Sequence, residues 1–289
     1  MLRIATCRPL PEPDPDENLL LAALAARGVA ARMVAWDDTN ESWETGATLI
    51  RSTWDYVHHL DQFLRWIDRA ARGLLWNPAA VLRDNVHKSY LLRLAAAGVA
   101  VTPTVLATRG SQQSLPDLAA AARWHDVVVK PAVGAGSFAT HRLQDVSSAD
   151  SRRLFDELLA QYDMLIQPYL ESVEGHGERA LVWIDGAFTH AVRKTPRFAA
   201  DVEVVSEALP IAADERVVAE QALAAALAGA GGGAGVDTHD LLYARVDVAR
   251  DARGRVVVME LELVEPSLFL LQSPLALERF VTAIAARLV

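Results

Sequence analysis

The feature that constrains this chain most is a pair of adjoining β-like runs at residues 243–266, YARVDVARDARGRVVVMELELVEP. Successive side chains of a strand point to opposite faces, so Glu260 and Glu262 share one face of the second run. The predicted pairing of the two runs places Asp247 opposite Glu260 and Arg245 opposite Glu262. Three carboxylates then converge on one face, which destabilises a sheet unless cations accompany them.

The turn between the two runs sets that pairing. Arg253 and Gly254 have the pattern of a two-residue hairpin turn, which pairs Ala252 with Arg255. Hard divalent ions such as Mg²⁺ take carboxylate oxygens as ligands and bridge to nucleotide phosphates. The acids therefore predict a metal site on this hairpin, and the alternative is a solvated face on which Arg245 is the counter-ion.

A second segment, VVVKPAVGAGSFATHRL at residues 127–143, has the composition of a phosphate site. Burial of Lys130 at the end of a β-branched run is unfavourable without an anionic partner. The loop that contains Gly134, Gly136 and Ser137 lets backbone amides approach a phosphate closely. Because β-like residues follow, the loop joins two strands, and we expect it to cover the phosphates as a lid. An ordinary hairpin loop is the alternative.

Composition excludes several classes of protein. The formal charge of −9 argues against a nucleic-acid binder, because phosphate backbones need a basic face. Apolar runs end before the roughly 18 residues that a membrane span needs, and the N-terminus lacks the pattern of a signal peptide. Cys7 is the only cysteine, so an internal disulfide and a thiolate metal cluster are excluded. We therefore expect a cytoplasmic protein.

Strands that alternate with helices at the start of the chain predict a small parallel α/β unit. No glycine-rich turn follows its first strand, which argues against a dinucleotide-binding fold there. A helix is expected over residues 85–97, and the glycine-rich run at 229–235 is expected to stop a helix and act as a connector. The predicted units are residues 1–80 (N-terminal α/β, substrate-side domain), 81–103 (linking helix and connector), 104–168 (small lobe with the lid) and 169–289 (C-terminal lobe with the metal site).

The segment RSTWDY follows the third predicted strand, at the edge of a parallel sheet where ligands usually bind. Arg51 is expected to clasp a substrate carboxylate through two parallel hydrogen bonds. Trp54 and Tyr56 are expected to form walls of the same pocket. The alternative is a structural helix start that Ser52 or Thr53 caps.

The order of these parts resembles the ATP-grasp superfamily of carboxylate–amine ligases over about residues 80–289. The matching parts are two lysines, the glycine loop, the hinge QPYL, an acid, the motif HAVRK and the strand end ELELVEP. The strand end is similar to the superfamily's metal-binding E-x-N, although Glu262 stands where asparagine is common. The resemblance implies an α/β (α+β) ATP-grasp fold, with an N-terminal parallel α/β pre-ATP-grasp domain and two lobes that enclose the nucleotide.

The resemblance also implies roles for the matching residues. The cofactors would be ATP and two Mg²⁺ ions, with Mn²⁺ as an alternative ion. The residues that would bind ATP are Lys88 and Lys130 at the phosphates, Gly134, Gly136 and Ser137 in the lid, Gln167, Tyr169 and Leu170 at the adenine, and Glu174 or Glu178 at the ribose. Glu171 is left open as a third candidate for the ribose. The residues that would hold the metal ions are Asp247, Glu260 and Glu262.

Catalytic and substrate-binding roles are implied in the same way. The catalytic residues would be Lys130, Arg51 and Arg193, of which Arg193 would neutralise the transferring phosphoryl group. Residues 194–205 would form a mobile loop over the intermediate, in which Lys194 and Arg197 would contact anionic intermediates. The residues expected to contact substrate are Arg51, Ser52, Trp54, Asp55, Tyr56, Arg197, Glu265 and Ser267.

The implied reaction is phosphorylation of a carboxylate by ATP, followed by attack of an amine on the acylphosphate. RSTWDY, HAVRK and ELELVEPSLFL further resemble the branch that contains the cycloserine-forming cyclo-ligase, which closes O-ureidoserine into a ring. Two alternatives stay open: an intermolecular ligase of the glutathione-synthetase type, and a non-catalytic ATP-binding regulatory protein. The expected partners are a small amino-acid-like carboxylate and a second copy in a homodimer, with neither nucleic acid nor membrane.

Overall fold

The computed structural model of the chain describes residues 1–195, 204–230 and 236–288. Its N-terminal sheet is parallel throughout and has the order β2-β1-β3-β4. The predicted parallel α/β unit is thereby confirmed. The four strands are β1 (Leu2–Thr6), β2 (Ala31–Ala35), β3 (Ala47–Ile50) and β4 (Leu74–Trp76).

Both faces of this sheet are covered, as is usual for parallel strands. Leu2 and Ile4 pack on one face with helix α1 (Glu17–Ala26) and with the last helix of the chain. Helix α2 (Leu60–Ala70) covers the other face with an aromatic cluster that includes Trp66. Because the covered faces leave only the strand ends open, ligands can reach this unit only at an edge.

The linking segment differs from the single helix predicted over residues 85–97. It contains two shorter helices, α3 (Ala79–Asn85) and α4 (Tyr90–Ala96). The fixed φ of Pro78 suits the residue before α3. Between the helices, the His87 ring accepts the Ser89 N–H at 3.2 Å. This bond takes one backbone donor away from a continuous helix.

The second sheet is antiparallel and has the order β5-β8-β6-β7. Its β6 and β7 are adjacent, so the predicted strand–loop–strand arrangement around the glycine loop is confirmed. Ser114 and Ser148 cap the two helices that cover the sheet, by accepting backbone N–H groups of the first turn. The elements are β5 (Val105–Ala107), α5 (Leu115–Ala122), β6 (Val127–Pro131), β7 (His141–Leu143), α6 (Ala149–Leu159) and β8 (Met164–Pro168).

The third sheet is also antiparallel, in the order β10-β9-β11-β12. Helix α8 packs on one face and α9 on the other. Part of the predicted connector, residues 231–235, lies outside the described residues. None of the described helices has the length and apolarity to cross a membrane. The elements are α7 (Ser172–Gly175), β9 (Glu178–Ile184), β10 (Ala187–Lys194), α8 (Ala213–Gly229), β11 (Tyr243–Arg250), β12 (Val256–Glu262) and α9 (Pro274–Arg287).

The hairpin of β11 and β12 holds the acids in the predicted register. Asp247 lies opposite Glu260, and Arg245 lies opposite Glu262. Both strands are inside the chain's largest buried cluster, where neighbouring positions such as Val246 and Val258 are fully buried. The apolar face of the hairpin therefore packs under α8, and the charged face is directed away from that helix.

The turn of this hairpin is longer than predicted. The Asp251 N–H donates to the Arg255 carbonyl at 2.8 Å, so three residues form the turn, and the predicted two-residue turn that pairs Ala252 with Arg255 is wrong. A β-bulge at Met259 adds one residue to β12 and restores the register beyond it. The two deviations cancel before the chain reaches Glu260.

Two asparagines of the preceding segments complete the hydrogen bonding of the third sheet. Asn77 donates to the carbonyls of Tyr243 and Leu263 at 2.9 and 2.8 Å. Asn85 donates to the Leu261 carbonyl at 2.9 Å and accepts the Leu263 N–H at 2.8 Å. Because β12 is an edge strand, these side chains satisfy backbone groups that have no neighbouring strand.

We predict that Asn85→Ala lowers the free energy of unfolding by about 1–3 kcal/mol, because it leaves buried backbone groups of β12 without partners. Urea titrations followed by circular dichroism measure this loss. Asn40→Ala is the matched control, since Asn40 is exposed and bonds only within its own turn. Equal stability of the two variants would contradict the proposed role of Asn85.

Candidate active site

A cavity of about 530 Å³ lies between the N-terminal unit and the two antiparallel sheets. This volume is within the range of small-molecule sites in proteins. All three units contribute to its wall, which brings together most of the residues predicted for nucleotide, metal and substrate. They are Trp54, Tyr56, Lys88, Lys130, Gly134, Gly136, Ser137, Gln167, Tyr169, Leu170, Glu178, Glu260, Glu262, Glu265 and Ser267.

Two of the three predicted metal ligands, Glu260 and Glu262, line the base of the cavity, and Asp247 is buried behind them. The oxygens that Asp247, Glu260 and Glu262 offer to a metal ion all lie within 4.8 Å of one another. The Asp247 side chain is fully buried, while those of Glu260 and Glu262 keep 21% and 26% of their exposure. An oxygen-only set of this kind fits a hard divalent ion such as Mg²⁺.

Asp247 is held between two cations. Arg245 donates to both of its oxygens, at 2.8 and 2.9 Å, and the Lys194 ammonium donates at 2.6 Å. Burial alone would raise the pKa of Asp247, but these two cations outweigh it and hold the pKa well below its usual range. Asp247 is therefore an anion at neutral pH.

Glu260 has a separate pair of cations. The Lys130 ammonium lies 2.5 Å from one of its oxygens, and the Lys88 ammonium lies 3.9 Å from the other. Burial acts to raise the pKa of Glu260, but the two lysines lower it to about 2. Lys88 also donates to the Gly134 carbonyl at 2.5 Å, which ties the glycine loop to the base of the cavity.

Glu262 and Glu178 complete the charged network. Glu262 accepts from Arg245 at 2.5 Å, and Glu178 accepts from Lys194 at 2.6 Å. Burial raises the pKa of both carboxyls in spite of these partners. Four cations and four acids thus share one end of the cavity, where they would otherwise be costly to bury.

The structure corrects the position predicted for the cation of HAVRK. Arg193 is exposed. The aliphatic part of its side chain packs against Gly177, where an added Cβ would lie 2.4 Å from the Arg193 Cγ. Side chains alternate along β10, so Lys194 points the other way, into the cavity. Lys194, not Arg193, is the strand's charged contact with the acids.

The glycine loop lies over the cavity as the lid position predicts. Gly136 and Ser137 have φ values of +57° and +61°, a left-handed conformation that glycine adopts freely and serine rarely. The adjacent Phe138 packs edge-on against His58, with 4.9 Å between ring centroids. The loop therefore touches the N-terminal unit on the far side of the cavity.

The hinge between the two antiparallel sheets lines the other end. The Gln167 amide donates to Thr104 at 2.9 Å, which leaves mainly its backbone at the cavity. The Tyr169 hydroxyl donates to Glu174 at 2.8 Å, and Glu174 is mostly exposed and does not line the cavity. Of the three acids considered for the ribose, Glu178 is the one at the cavity wall.

Part of the RSTWDY segment lines the cavity, and the rest lies behind the cavity wall and supports it. Trp54 and Tyr56 line the cavity. Arg51 is buried behind it, where it donates to the Pro266 carbonyl at 2.8 Å and lies 3.9 Å from Asp16. In this arrangement Arg51 supports the cavity wall from behind and does not reach a substrate carboxylate.

The side chains of two further predicted substrate residues, Ser52 and Asp55, are also bonded to other residues of the protein. Ser52 is fully buried and bonded to Thr6 at 2.9 Å, so it does not cap a helix. Asp55 accepts from the indole N–H of Trp36 at 2.7 Å. Arg197 and the rest of the predicted loop from 196 to 203 lie outside the described residues.

Glu265 is a fifth acid at the cavity, away from the metal set. Its carboxyl group lies beside the buried Tyr56 hydroxyl, which acts to lower its pKa. Burial raises the pKa of Glu265 to about 8, with the charge of Glu262 as the second cause. At neutral pH this carboxyl is therefore largely protonated in the structure described.

The sequence analysis missed Arg245 as a cavity-lining cation, and it placed Lys194 in a mobile loop, whereas Lys194 is the last residue of β10 and lines the cavity. A signal for Lys194 was present, because a lysine at the end of an apolar strand is also the pattern that identified Lys130. Arg245 was assigned only as a counter-ion. Its position two residues before Asp247 puts both side chains on one face.

Comparisons with known proteins find relatives that match nearly the whole chain. The family model described as "D-cycloserine synthetase DcsG, N-terminal domain" matches residues 2–77. The chain is 35% identical to the cycloserine biosynthesis protein DcsG of Streptomyces lavendulae over 287 residues, which is 95% of this chain and 94% of the relative.

Solved structures give the same result for the whole fold. The crystal structure of D-cycloserine synthetase DcsG superposes with a TM-score of 0.87 at 33% identity, and the match covers 100% of this chain and 99% of that one. The ATP-grasp ligase PsnB, complexed with minimal precursor, Mg and ADP, matches with a TM-score of 0.62 at 16% identity and coverage of 99% and 98%. The PsnB match supports the fold alone.

We predict a pH-dependent stability difference between the wild type and Glu265→Gln. Since the folded pKa of Glu265 is raised above its usual value of 4.5, its contribution to the free energy of unfolding is full below the unfolded pKa. That contribution is lost as pH rises through the folded pKa. The glutamine variant has no proton to lose, so it gains stability relative to the wild type between about pH 5 and about pH 9.

Urea titrations of both proteins across this pH range measure the difference. Glu220→Gln, an exposed substitution on α8, is the control for a general loss of one negative charge. A constant difference between wild type and Glu265→Gln at all pH values would contradict the raised pKa.

Proposed function

Because the chain belongs to the D-cycloserine synthetase DcsG family of ATP-grasp ligases, we propose that it closes a ring within one small amino-acid-like molecule. The chain is an ADP-forming ligase of carboxylates and amines, as its motifs predicted. The substrate that we propose is O-ureidoserine, and the product is a ring of the cycloserine type. The intermolecular and non-catalytic alternatives are not favoured by these relatives.

The observation that carries the proposal is the charged base of the cavity. Three carboxylates that can hold divalent ions lie within contact of Lys88, Lys130, Lys194 and Arg245. A protein that only binds ATP has little need of so many cations beside a metal set. Phosphoryl transfer needs such an arrangement, because its catalysis is mainly positioning and charge neutralisation.

The nucleotide would lie along the cavity with its adenine between the hinge and β12. Tyr169 and Leu170 would contact the base, Glu178 the ribose, and the lid the phosphates. Asp247, Glu260 and Glu262 would hold two Mg²⁺ ions, or Mn²⁺ in their place, and the bound ions would neutralise phosphate charge. This agrees with PsnB, whose structure contains Mg and ADP.

The proposed reaction has two steps. A carboxylate oxygen of the substrate attacks the γ-phosphorus of ATP, and the bond to ADP breaks, which forms an acylphosphate. A nitrogen of the same molecule then attacks the acyl carbon, phosphate leaves, and the nitrogen loses a proton. Lys194 and Arg245 would stabilise the transferring phosphoryl group, while the lid would exclude water that hydrolyses the intermediate.

Two further properties belong to the proposal. Since the reaction consumes ATP, we place the enzyme in the cytoplasm. The homodimer expected from the family resemblance stays a prediction, which sedimentation of the purified protein would test.

A single-substrate assay tests the proposed function. We expect ADP release from MgATP when O-ureidoserine is the only other substrate, because both the carboxylate and the nucleophile are in that molecule. Coupled measurement of ADP and mass spectrometry of the product follow the reaction, with omission of the divalent ion as a control. A requirement for a separate amine would favour the intermolecular ligase, and ADP release that no carboxylate stimulates would exclude both ligases.

Adjacent residues of β10 provide a matched pair of variants. We predict that Lys194→Ala lowers kcat by about 100-fold or more, because a cation beside the reacting phosphoryl group is removed. Arg193→Ala should retain kcat within about threefold, since the side chain points away from the cavity. A larger loss in Arg193→Ala than in Lys194→Ala would return the catalytic role to the arginine.

A further inference from the structure

Glu265 occupies a part of the cavity that neither the proposed nucleotide nor the metal ions use. The residue is only 9% exposed, and what remains exposed lines the cavity beside Tyr56. The metal set comprises Asp247, Glu260 and Glu262, and Glu265 is not a member. A buried acid directed at a ligand cavity calls for a partner in the ligand.

The backbone around Glu265 is held by three donors. The Trp54 indole donates to the Glu265 carbonyl at 3.2 Å, and Arg51 donates to the Pro266 carbonyl at 2.8 Å. Arg245 donates to the Ser267 carbonyl at 3.2 Å. These bonds fix the direction of the Glu265 side chain, and Tyr56 holds its carboxyl group from one side.

The Glu265 carboxyl group has no positively charged side chain next to it. Within the part of the chain that the structure describes, no lysine, arginine or histidine nitrogen lies within 4 Å of the Glu265 oxygens. Lys88 and Arg245 act on it only at longer range, and each has a closer acid. A cationic group of a ligand would therefore find a carboxyl group that can give up its proton and that has no cation of the protein beside it.

We propose that Glu265, held by Tyr56, binds the α-ammonium group of the substrate amino acid. This inference rests on the proposed function, in which the substrate is an amino acid whose carboxylate is activated. In any α-amino acid the ammonium and the carboxylate groups are both attached to the α-carbon. A carboxylate placed for phosphoryl transfer beside Glu262 and Arg245 would bring its ammonium into the part of the cavity that Glu265 lines, where the charge of Glu262 already acts on Glu265.

This subsite would separate two binding roles within the cavity. The cations Lys194 and Arg245 face the phosphoryl and carboxylate end of the reaction, whereas Glu265 is the acid at the substrate end. Recognition of an ammonium group selects α-amino acids over 2-hydroxy or unsubstituted acids, because those analogues leave Glu265 without a partner.

A substrate analogue and a variant test the subsite together. The probes are O-ureidoserine and the same molecule with hydrogen in place of the α-ammonium group. Calorimetry measures their binding to the protein with Mg²⁺ and a non-hydrolysable ATP analogue, so the result does not depend on turnover. Glutamine closely mimics a protonated glutamic acid, so we expect Glu265→Gln to fold normally.

We expect Glu265→Gln to weaken O-ureidoserine binding by about 10-fold to 100-fold and to leave binding of the analogue nearly unchanged. Tyr56→Phe keeps the buried ring and should give a smaller loss of the same selectivity. Glu220→Gln is the control for overall charge and should bind both probes like the wild type.

Equal weakening of both probes in Glu265→Gln would overturn the inference, because it would mean that Glu265 only supports the wall. Unchanged binding of O-ureidoserine in this variant, or no binding of it by the wild type, would also overturn it. Wild-type binding that shows the predicted selectivity without ADP formation would instead refute the proposed function while it supports the ammonium subsite.

Discussion

The charge of Asp247 is fully buried, and much of the site follows from that constraint. A buried carboxylate is tolerated only when cations and hydrogen bonds compensate for lost hydration. Arg245 and Lys194 supply both, and each of them has a second acid, Glu262 or Glu178. The interactions that make the fold stable thus also place two cations at the end of the cavity before any ligand arrives. Preorganised charge of this kind does not have to be rearranged during a reaction.

Residues of the N-terminal unit and of the linking segment help to position the acids, although none of them belongs to the metal set. Asn77 and Asn85 bind the backbone around the end of β12, and Arg51 binds the segment that follows it. The strand that bears Glu260 is therefore held from outside its own sheet. This explains why residues that are far from the acids in sequence, and that do not touch a ligand, control where those acids lie.

Periodicity predicted only part of the site. Alternation along β12 put Glu260 and Glu262 on one face, whereas the predicted pairing of Asp247 with Glu260 is correct because the longer turn and the bulge cancel. The same rule does not reveal which side of a strand faces a cavity, so Arg193 was selected where the structure has Lys194. The role of Arg51 could not be predicted either. Its partner is a backbone carbonyl more than 200 residues later, and only tertiary packing brings the two together.

The bulge at Met259 has a consequence for how such hairpins diverge. The twelve residues 248–259 separate the facing acids. A two-residue turn would divide them evenly, whereas the three-residue turn leaves one residue over, and that residue is the bulge. Removal of the extra residue would leave an unbroken ladder with the same acids face to face. The spacing between the acids can therefore change by one residue during evolution without disturbing the metal set, and a search motif with a fixed spacing would miss functional relatives.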